Sequence, residues 1–180
     1  MPSDPAIRPA TPSDTAAVES FVAAAFPPAE SAAVASLAAE LLAEPACDET
    51  FTLAAESGGR LLGHVCFSRV TLSSGPSVRG SILAPLAVHP DYRRRGLGTA
   101  LVEAGLRCLR EASVDLAFVY GDPSYYARFG FRPANPAHFA PPYTLTHPTG
   151  WQFQSLQNPA EPAQPGSLTV APPLRRPELW

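Results

Sequence analysis

The chain has 180 residues, 46% of them hydrophobic and 16% charged, with a formal net charge of −3 at pH 7. That size and composition suit one globular domain with a sizeable core, and the acidic balance argues against a generalised binder of nucleic acid or acidic surfaces. All thirteen basic side chains are arginine, so the run Arg93-Arg94-Arg95 stands out in a cation-poor chain.

Cys47, Cys66 and Cys108 are odd in number, widely spaced and without a CxxC pair. No disulfide framework and no zinc site are expected, and buried thiols in a reducing compartment are the default. The N-terminal stretch MPSDPAIRPATPSD has neither a basic segment nor an apolar run, and no apolar stretch approaches a membrane span. A cytoplasmic protein with no membrane partner is expected.

Ala6 to Pro9 reads as a first strand. TPSD from Thr11 is a helix-start signal in which Ser13 or Asp14 can cap, and Val18, Phe21 and Val22 supply the apolar face. A second helix is predicted from about Glu30 to Ala43, with Val34, Leu37 and Leu41 on one stripe. Two apolar runs then flank Ser57-Gly58-Gly59, a hairpin signal. SVRGSILAPLAVHP reads as a third long strand, in which Pro85 cannot donate to a ladder, so a bulge or lost pairing is expected there. A helix over Arg95 to Glu111 buries Leu97, Leu101, Gly105 and Cys108, widened by Val102 and Leu109. DLAFVYG is a buried strand, and Asp122-Pro123 begins a short helix as N-cap and first residue.

The layout is α/β in mixed form, with an antiparallel front half and one βαβ crossover. GWQFQSLQ, with Trp151, Phe153 and Ser155 alternating against Gln152 and Gln154, reads as a last strand. A folded domain over 5–157 is expected, followed over 158–180 by a Pro-rich arm that Leu168, Val170 and Trp180 could tack down.

A strand, a Gly-rich turn and a helix start in succession make an anion site. The first helical amides lack intrahelical acceptors, the helix dipole adds partial positive charge, and Gly96 and Gly98 let an anion approach the main chain. Arginines add charge-assisted bonds to phosphate. The pattern RxxGxG alone is equally a basic collar on a helix start. GDPSYYARFGF, one helix and one strand later, begins at the carboxyl end of the preceding strand, where an open α/β sheet places ligands.

LAPLAVHPDYRRRGLGTALV resembles motif A of the GNAT superfamily of N-acetyltransferases, whose [QR]xxGx[GA] is matched by Arg93 to Gly98. YYARFGF resembles that family's YxxxGF signature, with Tyr126, Gly130 and Phe131 in register. The pair of motifs is most similar to the YhbS-like branch of predicted acetyltransferases. The resemblance covers about Ala6 to Gln157 and implies a mixed, mostly antiparallel sheet with splayed central strands flanked by helices.

It also implies acetyl-CoA as co-substrate, with no metal, and N-acetyltransfer to the primary amine of a small-molecule acceptor by direct attack in a ternary complex. By the same resemblance, main-chain groups of Leu86, Ala87 and Val88 hold the pantetheine arm, and the Val88 N–H is the oxyanion-type donor to the thioester carbonyl. The pyrophosphate would sit on the amides from Arg94 to Thr99, which include Arg95, Gly96, Leu97 and Gly98, with Arg93 marking the motif. Tyr126 would protonate the leaving thiolate, since a phenol titrates near ~10 and a comparable thiol near ~8.5. Tyr125 competes for that position, and Phe129 is expected at the cofactor or in the core. Adjacent on a short helix, the two tyrosines point about 100° apart, so only one can face the sulfur.

The general base stays open among His64, His89, Asp48, Glu49 and Asp122. Phe26 to Glu30 and Ala46 to Thr50 weakly suit an amine with a nonpolar body. Many relatives of this kind pair as dimers, so the resemblance admits a homodimer, although no interface is fixed by the sequence. A GNAT-fold module that binds acyl-CoA without turnover is the competing reading, and nucleic-acid binding through the three arginines is a remote one.

Overall fold

Backbone conformation at a few residues decides where the elements begin and end. A computed structural model describes residues 5–43, 50–74, 77–157 and 164–180. In chain order it has β1 (Ala6–Pro9), α1 (Thr15–Ala25), α2 (Pro28–Ala43), β2 (Phe51–Ser57), β3 (Arg60–Leu72), β4 (Gly80–Val88) and α3 (Leu97–Glu111). β5 (Leu116–Tyr120), α4 (Pro123–Tyr126), β6 (Arg132–Pro133), β7 (Phe139–Ala140), β8 (Trp151–Ser155) and β9 (Gly166–Val170) follow. The chain divides into two compact units, residues 1–67 with 84–105, and residues 68–83 with 106–180.

In the first unit, β1 pairs antiparallel with β2 and β2 with β3. Gly58 and Gly59 turn the β2–β3 hairpin with φ of +57° and +74°, the left-handed pair that a two-residue primed turn requires. The carboxylate of Asp14 does not cap α1. It turns back to accept the Thr11 N–H at 2.8 Å and takes both terminal nitrogens of Arg8 at 2.9 Å. Those bonds hold the Asp14 carboxyl well below the usual carboxylate range and tie β1 to the entry of α1.

Val18, Val22 and Ala25 of α1 pack with Ala35, Ala38 and Leu42 of α2 and with Ala87 of β4, flanked by Phe21, Phe26, Val34 and Leu61. On β3, Gly63 lies under Leu97 and Leu101 of α3, and Phe67 lies against Gly105. His64 and Cys66 alternate with these residues and point to the opposite face of the sheet.

At Gly105, α3 lies close against the sheet. A Cβ there would lie 2.0 Å from Cε2 of Phe67, whose ring is fully buried and stacked on Phe51 at 5.1 Å. Gly105→Ala is therefore expected to destabilise the fold by about 2 kcal/mol, an overpacking cost of about 3 kcal/mol less the ~1 kcal/mol gained in helix propensity. Urea denaturation checks this. An unchanged or higher midpoint would mean that the Phe67 ring moves aside freely.

In the second unit, β4 and β5 pair in parallel from Gly80–Leu116 to Leu83–Val119, and the register stops there, two residues before Pro85. The missing donor at proline accounts for a ladder that goes no further. β5 pairs antiparallel with β8, which in turn pairs with β6. Phe118 of β5 stacks on Trp151 at 5.5 Å and meets Phe139 edge-on at 5.3 Å. The Trp151 indole N–H donates to the Phe139 carbonyl at 2.9 Å.

Of the segment expected as an arm, residues 164–180 are described. β9 pairs with the end of β3 through Val70–Val170 and Leu72–Leu168, and β7 runs parallel to β9. Leu168, Val170 and Trp180 are all buried. The Trp180 ring stacks on Tyr120 at 6.1 Å, and its indole N–H donates to the Leu174 carbonyl at 3.0 Å. Among the described residues, no helix is long and apolar enough to cross a membrane.

Candidate active site

β4 leads directly into the Gly-rich turn. Ala87 is buried in the core under α1 and α2, and Leu86 and Val88, on the alternate face, are half-buried. His89 N–H bonds the Leu62 carbonyl at 2.9 Å, so the β3–β4 ladder persists to the strand end. The helix starts at Leu97 and not at Arg95, because Arg94 and Gly96 have φ of +58° and +83°, outside the right-handed helical region. The Gly96 carbonyl accepts the first helical bond from Ala100 N–H at 2.9 Å. Leu97, Gly98 and Thr99 are thus the first three helical residues, whose amides have no intrahelical acceptor. A Cβ at Gly96 would meet nothing within 4 Å, so the main chain there borders open space. The Leu97 side chain is committed to the core over Gly63.

The three arginines have three different environments. Arg93 donates from Nη2 to the Ala25 carbonyl at 2.6 Å and from Nε to the Val88 carbonyl at 3.4 Å. Its guanidinium joins the strand end to the last residue of α1. Arg95 lies 5.6 Å from the centre of the Tyr92 ring, within cation–π range, and Arg94 is exposed.

In the second unit, the GDPSYYARFGF segment forms a cap, a turn and an aromatic cluster. The Asp122 Oδ1 accepts from both the N–H and the hydroxyl of Ser124 at 2.8 Å, which is the cap the sequence predicts. Those bonds hold its carboxyl below the usual range. Tyr126 is buried, its ring edge lying so close to Gly121 that a Cβ there would be 2.5 Å from Tyr126 Cε2. Burial pushes the Tyr126 phenol well above its usual value.

Tyr125 is half-buried and meets Tyr126 edge-on at 5.0 Å, and the Arg128 guanidinium lies 4.8 Å over its ring. Phe129 and Phe131 are buried beside Tyr126, at 6.3 and 5.9 Å between ring centres. Gly130 closes the turn at φ +92°. The residues expected at the site therefore form two groups. Leu86 to Val88 and Arg93 to Thr99 adjoin in the first unit, and Tyr125, Tyr126 and Phe129 adjoin in the second.

Among the candidate bases, His64 is fully buried, neither ring nitrogen has a hydrogen-bond partner among the described residues, and burial lowers it to about 4. His89 is engaged in the turn. Its Nδ1 accepts the Asp91 N–H at 3.2 Å, and its Nε2 faces the Arg60 guanidinium at 2.7 Å. Asp122 is the helix cap just described. Asp48, Glu49 and Cys47 lie outside the described residues. The fully buried Cys66 thiol is pushed up to about 12, which keeps it protonated and unsuited to a covalent relay.

Strand alternation missed Gln152. It is buried on β8, and its amide donates to the carbonyls of Gly121 and Gly150 at 3.1 and 3.2 Å. It thereby fixes the loop that carries Asp122. A glutamine amid alternating residues carries no sequence signal for that role.

A mixed sheet in which β4 and β5 run parallel, with a Gly-rich turn opening the helix after β4, is the frame of a GNAT-class N-acetyltransferase. The model of the acetyltransferase (GNAT) domain matches residues 6–134, and the chain belongs to that family. It is 37% identical over 139 residues to the uncharacterized N-acetyltransferase YjhQ of Escherichia coli K12, spanning 75% of this chain and 74% of that protein. The E. coli YhbS structure in complex with CoA superimposes with a TM-score of 0.84 at 28% identity, over 96% of this chain and 93% of that one. A GNAT acetyltransferase from Brucella melitensis in complex with acetyl-CoA gives 0.74 at 26% identity, over 94% and 97% of the two chains.

Proposed function

We propose that this enzyme moves the acetyl group of acetyl-CoA to the primary amine of a small-molecule acceptor, by direct attack in a ternary complex. The observation that carries this reading is the turn at the end of β4. There a left-handed Gly96 bordering open space precedes three helical amides, a cradle that suits a pyrophosphate. The CoA and acetyl-CoA held by the YhbS and Brucella proteins support the same ligand here.

In the reaction, the amine nitrogen bonds to the thioester carbonyl carbon, the carbon–sulfur bond breaks, and the sulfur leaves with a proton as CoA thiol. The acceptor ammonium gives up one proton to the medium overall. Main-chain groups of Leu86 to Val88 would hold the pantetheine arm, and the Val88 N–H would stabilise charge on the carbonyl oxygen. Tyr126 would supply the thiol proton. Its buried phenol stays protonated across the physiological range, as an acid must before it acts.

Calorimetry with acetyl-CoA, followed by thiol release across a panel of primary amines, tests the reading. Tight binding with no turnover on any amine would favour the non-catalytic acyl-CoA module, and no binding would sink both. Gly96→Val is expected to weaken acetyl-CoA at least ~10-fold, because a branched side chain is strained at positive φ and its methyls enter the anion's approach. Retained affinity in that variant would remove the cradle.

A further inference from the structure

Resting on the acetyl-transfer reading, we propose that the cleft at the carboxyl end of β5 is the acceptor site, and that it takes a primary ammonium attached to one flat apolar body. The cleft has a volume of about 310 Å³ and is lined by Tyr120, Gly121, Asp122, Pro123, His147, Thr149 and Gly150. That volume is at the small end of ligand pockets, the size of a single ring with a short alkylamine arm.

Its walls are held by stacking and hydrogen bonds. The Tyr120 ring stacks on Trp180, and its hydroxyl accepts the His147 N–H at 2.7 Å. Gly121 and Gly150 line the cleft with bare backbone in mutual contact. Gly121 N–H donates to the Gly150 carbonyl at 3.0 Å, and a Cβ on Gly150 would sit 3.0 Å from the Gly121 carbonyl and 3.1 Å from the Tyr120 ring. Gln152 holds both carbonyls from beneath.

The sign of the ligand follows from the charges. Asp122 brings a carboxylate to the exposed rim, and both bonds to Ser124 use Oδ1, leaving Oδ2 outside that pair. Among the described residues, no arginine lines the cleft. A phosphate or carboxylate would meet repulsion there, and an ammonium would gain a charge-assisted bond. The link to the proposed acid runs through Gly121, which lines the cleft and also lies against the Tyr126 ring.

Titrating the full chain with 2-phenylethylamine, followed by amide chemical shifts, tests the site. Shifts are expected at residues 120–122 and 147, 149 and 150. Asp122→Asn, which keeps the Ser124 cap, should weaken the amine about tenfold by removing one charged hydrogen-bond acceptor. Thr149→Trp should abolish the shifts by filling the cleft. Both variants should bind acetyl-CoA within about twofold of the parent, by calorimetry. No shifts, shifts elsewhere, or unchanged affinity in Asp122→Asn would overturn the cleft assignment while acetyl-CoA binding left the transfer reading standing. Loss of acetyl-CoA binding in the parent chain would instead overturn the transfer reading, whatever the amine did.

Discussion

Tyr126→Phe is expected to lower turnover at least ~10²-fold while leaving acetyl-CoA affinity within about twofold, the mark of a group that gives a proton only as the thiol departs. The substitution removes one oxygen and keeps the ring, so the contacts with Gly121, Tyr125, Phe129 and Phe131 survive. Single-turnover thiol release measures the chemical step directly. Unchanged turnover would strip Tyr126 of the acid role. A parallel fall in Tyr125→Phe alone would transfer that role to its half-buried neighbour.

Acid should unfold this protein by way of His64. In the unfolded chain its imidazole takes a proton near 6.5, whereas in the fold burial delays protonation to about 4. Between those values the unfolded state binds more protons, so stability rises with pH there. The contribution is complete above about pH 6.5 and is lost as the pH falls to 4. The loss across that window is about 3 kcal/mol, a large share of an ordinary domain's stability. His64→Leu should flatten this part of the profile. It should not destabilise the neutral protein strongly, since it removes two buried nitrogens that have no partner. Urea midpoints of both proteins from pH 7 to 4 provide the check. Parallel profiles would show that His64 is not the group that titrates.

Much of the fold was legible because its signals are local. The strand Ala6–Pro9, the Gly58-Gly59 hairpin, the Asp122 cap and the buried stripe of α3 each depend on residues a few positions apart. α3 starts two residues later than its sequence suggests, since the left-handed backbone at Arg94 is not visible in the residue type. β6 and β7, at two residues each, are too short to carry a period, and β9 pairs with a strand far away in the chain.

In the candidate site, the glycines and Tyr126 were legible because the chemistry implied by the resemblance calls for those residue types. Gln152 and the cleft beside Tyr120 could not, since they depend on which loops the sheet brings together. His64 was visible as a titratable group, but its complete enclosure was not.

Arg93 is the residue by which motif A is recognised, and its fork-shaped head is occupied by two neutral carbonyls, those of Ala25 and Val88. It serves as a rivet: a cation on the negative end of α1 that fastens the helix to the strand from which the Gly-rich turn departs. Lysine would preserve the charge but, lacking the fork, could not span both carbonyls as the guanidinium does. The most conspicuous run of positive charge in the sequence thus begins with a residue that belongs to the joinery of the domain.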